Sequence, residues 1–233
     1  MTTQLKAARD RKADFPFPMK LAFWLSIFIA AAVVVRRIIA LSTSPRPGLP
    51  PQLRALDAYF DAHAVVTYTH ILIALAFVLL LPLLFWTRTR NSAALERAVF
   101  LLGILVAATA YAMSIYAVGG WIERSAVLFF NTLFLIALCR AWGFALSRNQ
   151  LQKQRWLLRA IAILLGIATT RPVMGAFFAT ARFTHLTPHQ FFGYAFWIGF
   201  SINAVTIELW LRHRARSNPG HLMHIGTDST PPA

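Results

Sequence analysis

The chain has 233 residues, 58% of them hydrophobic and 13% charged, and its 23 Lys and Arg against 8 Asp and Glu give a net charge of +15. Soluble domains carry about a quarter charged residues and under half apolar ones. With a mean hydropathy of +0.57, this composition excludes an ordinary water-soluble enzyme, a disordered tail protein and a disulfide-stapled secreted module. The basic residues fall between long apolar runs. That pattern reads as membrane topology and attraction to anionic headgroups, and no nucleic-acid partner is expected. The single cysteine, Cys139, lies inside an apolar run, and no CxxC or CxxCH motif occurs.

A helix needs about 20 mostly apolar residues to cross about 30 Å of hydrocarbon. After a basic segment at 1–19, six stretches meet that need, at about residues 20–41, 64–86, 98–120, 126–146, 160–180 and 188–211. The first ends on Arg36 and Arg37, which are expected to reach outward to the headgroups. The loop after it holds Pro45, Pro47, Pro50 and Pro51 and then turns amphipathic, with one interfacial turn of helix expected over 54–60. Gly119 and Gly120 close the third span. The sixth opens on Thr187-Pro188-His189-Gln190, a helix start with an N-cap threonine, proline at the first helical position and Gln three residues past the cap. The segment 213–233 is rich in Pro, Gly, Ser and Thr and reads as a disordered cytoplasmic tail.

Loop charge orients this all-α, six-helix membrane bundle. Placing both termini in the cytoplasm puts fifteen basic residues on that side and six on the other. The expectation is therefore N-in/C-in, with anionic lipids at the cytoplasmic face.

Ionisable groups at membrane depth are costly and point to function. Four stand out: His70, Arg140, Arg171 and Glu208. His70 reads as a haem or metal ligand, a proton relay, or a neutral histidine bonded to a neighbouring helix. His185 and His189 are spaced i, i+4 but are separated by Pro188, which starts a new helix, so they read as neutral mouth residues before ligands, and no metal site is assigned. Arg171 sits mid-span beside Pro172, a pairing that disfavours α geometry at residue 171. No carboxylate is expected in the outer half of any span, which leaves Arg171 suited to holding an anion or a cofactor's propionate or carbonyl. Arg140 and Glu208 are expected to form a structural ion pair between the fourth and sixth spans. Asn131 and Asn203 read as ties between helices.

His70, Gly119-Gly120, Gln154-Arg155-Trp156-Leu157-Leu158-Arg159, Arg171, Trp197, Asn203 and Glu208-Leu209-Trp210-Leu211-Arg212 occur in an order that resembles one known pattern. It is that of the bacterial membrane proteins grouped as domain of unknown function 2306, and it covers about residues 65–212. The resemblance implies a multi-pass protein of the bacterial inner membrane and carries no established activity. The chain departs from the pattern at Leu95-Glu96-Arg97, where a His-Arg pair is usual, and at Gln154 and Leu157, in place of His and Met.

Three functions follow from these residues. The first is binding of haem or quinone for electron transfer, in a polar pocket around His70 and Arg171. The second is a small-molecule or anion transporter, and the third a non-catalytic assembly partner in a homo- or hetero-oligomer.

Overall fold

A computed structural model describes residues 16–42, 51–85 and 92–217. Most of the expected basic segment and the tail from residue 218 lie outside the described residues, as does the proline-rich stretch 43–50. Every described element is a helix: α1 (Phe17–Ser42), α2 (Pro51–Asp61), α3 (Ala64–Phe85), α4 (Ala93–Ser114), α5 (Gly120–Leu146), α6 (Gln150–Thr184) and α7 (Pro188–Arg216). All but α2 are long and apolar enough to cross a membrane, so the chain is a multi-pass helical membrane protein.

Local chemistry sets the helix ends. The Ser92 hydroxyl accepts the Leu95 N–H at 3.3 Å and starts α4, five residues ahead of the expected apolar boundary. The Asn149 side chain accepts the Gln152 N–H at 3.1 Å and starts α6. Gln190 Oε1 reaches back to the Thr187 N–H at 2.9 Å, as its position past the cap predicts. Gly119 and Gly120 behave differently from expectation. The third span ends at Ser114, and Gly120, with φ +61°, opens the following helix in a conformation that favours glycine. The single expected turn over 54–60 is a longer helix, α2.

Helix contacts define a ring. α1 packs on α3, α3 on α4, α4 on α5, α5 on α6, and α6 returns to α1; α7 lies behind α5 and α6. Phe17 and Arg216 mark one end of the bundle, the termini end. The opposite end carries α2 and the turns α4–α5 and α6–α7, and is called the α2 end.

The seam between α6 and α7 is close. A Cβ on Gly199 would lie 2.7 Å from the Thr170 backbone nitrogen; where the start of α5 meets α7, a Cβ on Gly119 would lie 2.7 Å from the Gly193 backbone nitrogen. Polar ties cross the α4–α5 and α6–α7 seams. Asn131 donates to the Ala107 carbonyl at 2.9 Å, and Asn203 donates to the Ala162 carbonyl at 3.0 Å while accepting from Thr169 at 2.7 Å.

Candidate functional site: a polar cavity inside the helix ring

The five ring helices, together with Phe192, Phe196 and Phe200 of α7, surround a cavity of about 250 Å³ that extends from beneath α2 toward the middle of the bundle. Its walls are mainly apolar, with Val78, Phe130, Phe134, Ile163 and Phe196 among them. Against that background stand Arg37, His70, Glu123, Asn131 and Arg171. An apolar chamber with few convergent polar groups is the usual form of a small-molecule site. His70 and Arg171, the two residues singled out in the sequence as ligand-holding, border this one chamber from α3 and α6.

Arg171 occupies mid-helix in α6, yet it keeps intermediate accessibility because it borders the cavity. Among the described residues its side chain has one hydrogen-bond contact, a long one from Nη1 to the Met174 sulfur at 3.8 Å, and it makes no ion pair. The helix stays regular through Arg171 and Pro172, so the expected departure from α geometry at residue 171 does not occur. Proline has no N–H, which leaves the Ala168 carbonyl without its helical donor. Ala168 belongs to the same wall of the cavity.

His70 is held in one tautomer. Thr109 Oγ1 sends its proton to the carbonyls of Leu105 and Val106, at 2.8 and 3.0 Å. The hydroxyl oxygen can therefore only accept from His70 Nδ1, 2.9 Å away. In a neutral ring Nδ1 carries the hydrogen, and Nε2 keeps a lone pair for the cavity that His70 lines.

Two cavity groups escape sequence reasoning. Apolar length alone places Glu123 in a loop, since the run starts at Ala126, but α5 starts at Gly120 and carries Glu123 into the wall in its first turn. It is 8% exposed, and its Oε2 accepts the Gly119 N–H at 2.6 Å. The expectation that no carboxylate stands in this half of the spans is thus corrected. Arg37, expected to reach outward, turns instead to Asp57 of α2 at 2.7 Å and lies 4.0 Å from the centroid of the Phe60 ring. Arg37, Leu56 and Phe60 together line the α2 end of the chamber. The signal for this arrangement is the amphipathic segment with Asp57 and Phe60, three residues apart on one helix face.

The remaining candidates lie elsewhere. His185 caps the C-terminus of α6 with φ 54°, and His189 stands in the first turn of α7 beside Gly120; neither lines the cavity. The Arg140–Glu208 pair does not form. Glu208 bonds Arg159 at 2.9 Å and Arg212 at 3.1 Å, because α6 is the helix that packs most closely on α7 and Arg212 is one turn further along α7. Arg140 lies over the Trp156 ring at 5.4 Å and borders an open furrow of about 540 Å³ lined by α5 and the residue that follows it. Among the described residues no three His, Cys, Asp or Glu side chains converge as metal ligands.

Comparison with protein families, with curated proteins and with solved structures finds no match to this chain.

Proposed function

We propose that this protein binds a small carboxylate-bearing amphiphile inside the membrane, as the substrate-binding step of a permease. One observation carries the reading: a guanidinium lines a largely apolar chamber with no carboxylate in contact. A buried charge of this kind is costly unless an opposite charge reaches it. Arginine offers a planar fork that matches a carboxylate with two parallel hydrogen bonds. The aromatic and aliphatic walls then receive the apolar body of the ligand.

Cofactor binding fits less well. Pockets that enclose drug-sized molecules hold about 300–1,000 Å³, and this cavity holds about 250 Å³ with one histidine in its wall. A haem exceeds that space. A quinone ring is of suitable size, and its carbonyl accepts from Arg171, but it brings no charge to neutralise the guanidinium.

In our reading the chain lies N-in/C-in in the bacterial inner membrane, as the loop charges and the family resemblance suggest. The α2 end, where the cavity lies, then faces the periplasm and the termini end meets anionic lipid.

The test is calorimetric titration of the protein in lipid nanodiscs with benzoate, 4-methylpentanoate, leucine and phenylalanine, and with leucine methyl ester as a ligand lacking the carboxylate. A hydrogen bond to a charged group contributes about 1.5–3 kcal/mol, so Arg171→Gln is expected to weaken the carboxylates by roughly tenfold or more, and Arg171→Lys to restore only part of that. Ester binding as tight as acid binding, or an Arg171→Gln protein that binds as the wild type does, overturns the proposal.

A further inference from the structure

Arg171 is not the only ion that the cavity leaves unmatched. Glu123 stands in the same wall system. One of its oxygens accepts the Gly119 N–H, and the other has no hydrogen-bond partner among the described residues. Both groups line the one chamber, yet they form no direct ion pair. The third charged group, Arg37, shares the Asp57 carboxylate with Arg36, at 2.7 and 3.4 Å. Among the described residues the chamber is therefore lined by one cation, Arg171, and one carboxylate, Glu123, that have no ion-pair partner.

We infer that the ligand is a small zwitterion with an apolar body, of the class of the neutral apolar α-amino acids, held by its carboxylate at Arg171 and by its ammonium at Glu123. The inference rests on the function proposed above and specifies its substrate class. A simple carboxylate satisfies Arg171 but brings a like charge toward Glu123, and a simple amine does the reverse. A zwitterion matches both and adds no net charge to the interior of the membrane, where an unmatched charge costs most. An ammonium has three hydrogens to donate. Glu123, His70 and Ala168, whose carbonyl Pro172 leaves without its helical donor, all line the chamber and offer acceptors. The side chain of the amino acid is left to Phe130, Phe134 and Phe196.

The experiment compares ligands of one skeleton on wild-type protein in nanodiscs: leucine, 4-methylpentanoate, which lacks the ammonium, and 3-methylbutylamine, which lacks the carboxylate. Phenylalanine, 3-phenylpropanoate and phenethylamine form a second set with a larger body. The expected result is that the zwitterion of at least one set binds roughly tenfold or more tighter than its carboxylate analogue, from one added charge-assisted contact, with the amine weakest. Glu123→Gln is expected to remove the preference for the zwitterion while carboxylate binding holds or improves, and Arg171→Gln to lose both. Carboxylates that bind through Arg171 as tightly as the zwitterions overturn this inference and leave the proposed function standing. No binding of any of the acids to folded wild-type protein overturns both. Because the wild-type comparison decides the matter alone, a Glu123→Gln protein that fails to fold does not rescue the claim.

Discussion

His70 illustrates how a single side chain takes its role from a neighbour on another helix. The sequence shows a histidine at membrane depth, which the fold places in α3. Its chemistry is set by Thr109 on α4, whose hydroxyl is already committed as a donor to its own helix. Replacing that threonine by valine keeps the volume and deletes the acceptor. A buried donor left without a partner costs about 1–3 kcal/mol, so Thr109→Val is expected to lower the thermal unfolding midpoint of the detergent-purified protein. A midpoint equal to that of the wild type contradicts the hydrogen bond described. Glu123 and Arg37 show the opposite case. Both lie at the polar edge of an apolar run, where hydropathy alone reads charge as loop or snorkel. Helix α5 begins well before its apolar run, and α2 turns an acidic face toward α1. Neither fact is written in local composition.

At the scale of the elements, the spans are legible in the sequence because an uncharged apolar run of bilayer length has few other uses. Their partners are not. Depth alone pairs Glu208 with Arg140, whereas the short α6–α7 connection makes those two helices neighbours and brings Arg159 to the carboxylate. Small residues tell a similar story. Gly199 and Gly175 look alike in sequence as packing glycines. A Cβ at 199 meets backbone of α6, while a Cβ at 175 meets nothing within 4 Å. Gly199→Ala is therefore expected to destabilise the bundle, since overpacking typically costs about 1–3 kcal/mol. Gly175→Ala is expected to be neutral or to stabilise by up to about 1 kcal/mol through helix propensity. Thermal unfolding of the two variants side by side reads the difference, and a reversed order contradicts the α6–α7 seam.

For the whole molecule, the ring of α1, α3, α4, α5 and α6 turns scattered polar residues into one chamber. Its orientation in the membrane is our proposal from the basic residues of the loops. It predicts that a cysteine introduced by Arg54→Cys on exposed α2, in a Cys139→Ser background, reacts with a membrane-impermeant maleimide on intact cells. One introduced by Gln154→Cys at the termini end is expected to react only after lysis; the reverse pattern contradicts N-in/C-in. Charge count, helix number and the prominence of His70 and Arg171 are legible in the order of the residues alone. The cavity is not, because it depends on which helix faces close the ring, and every apolar helix offers several.

The central claim is that Arg171 is free in the chamber for a ligand's carboxylate. It is tested most directly by titrating leucine and 4-methylpentanoate into wild-type and Arg171→Gln protein in nanodiscs. The account predicts saturable heats of binding for at least leucine with the wild type, and their loss, by roughly tenfold or more in affinity, when the guanidinium is removed. Equal isotherms for the two proteins contradict it.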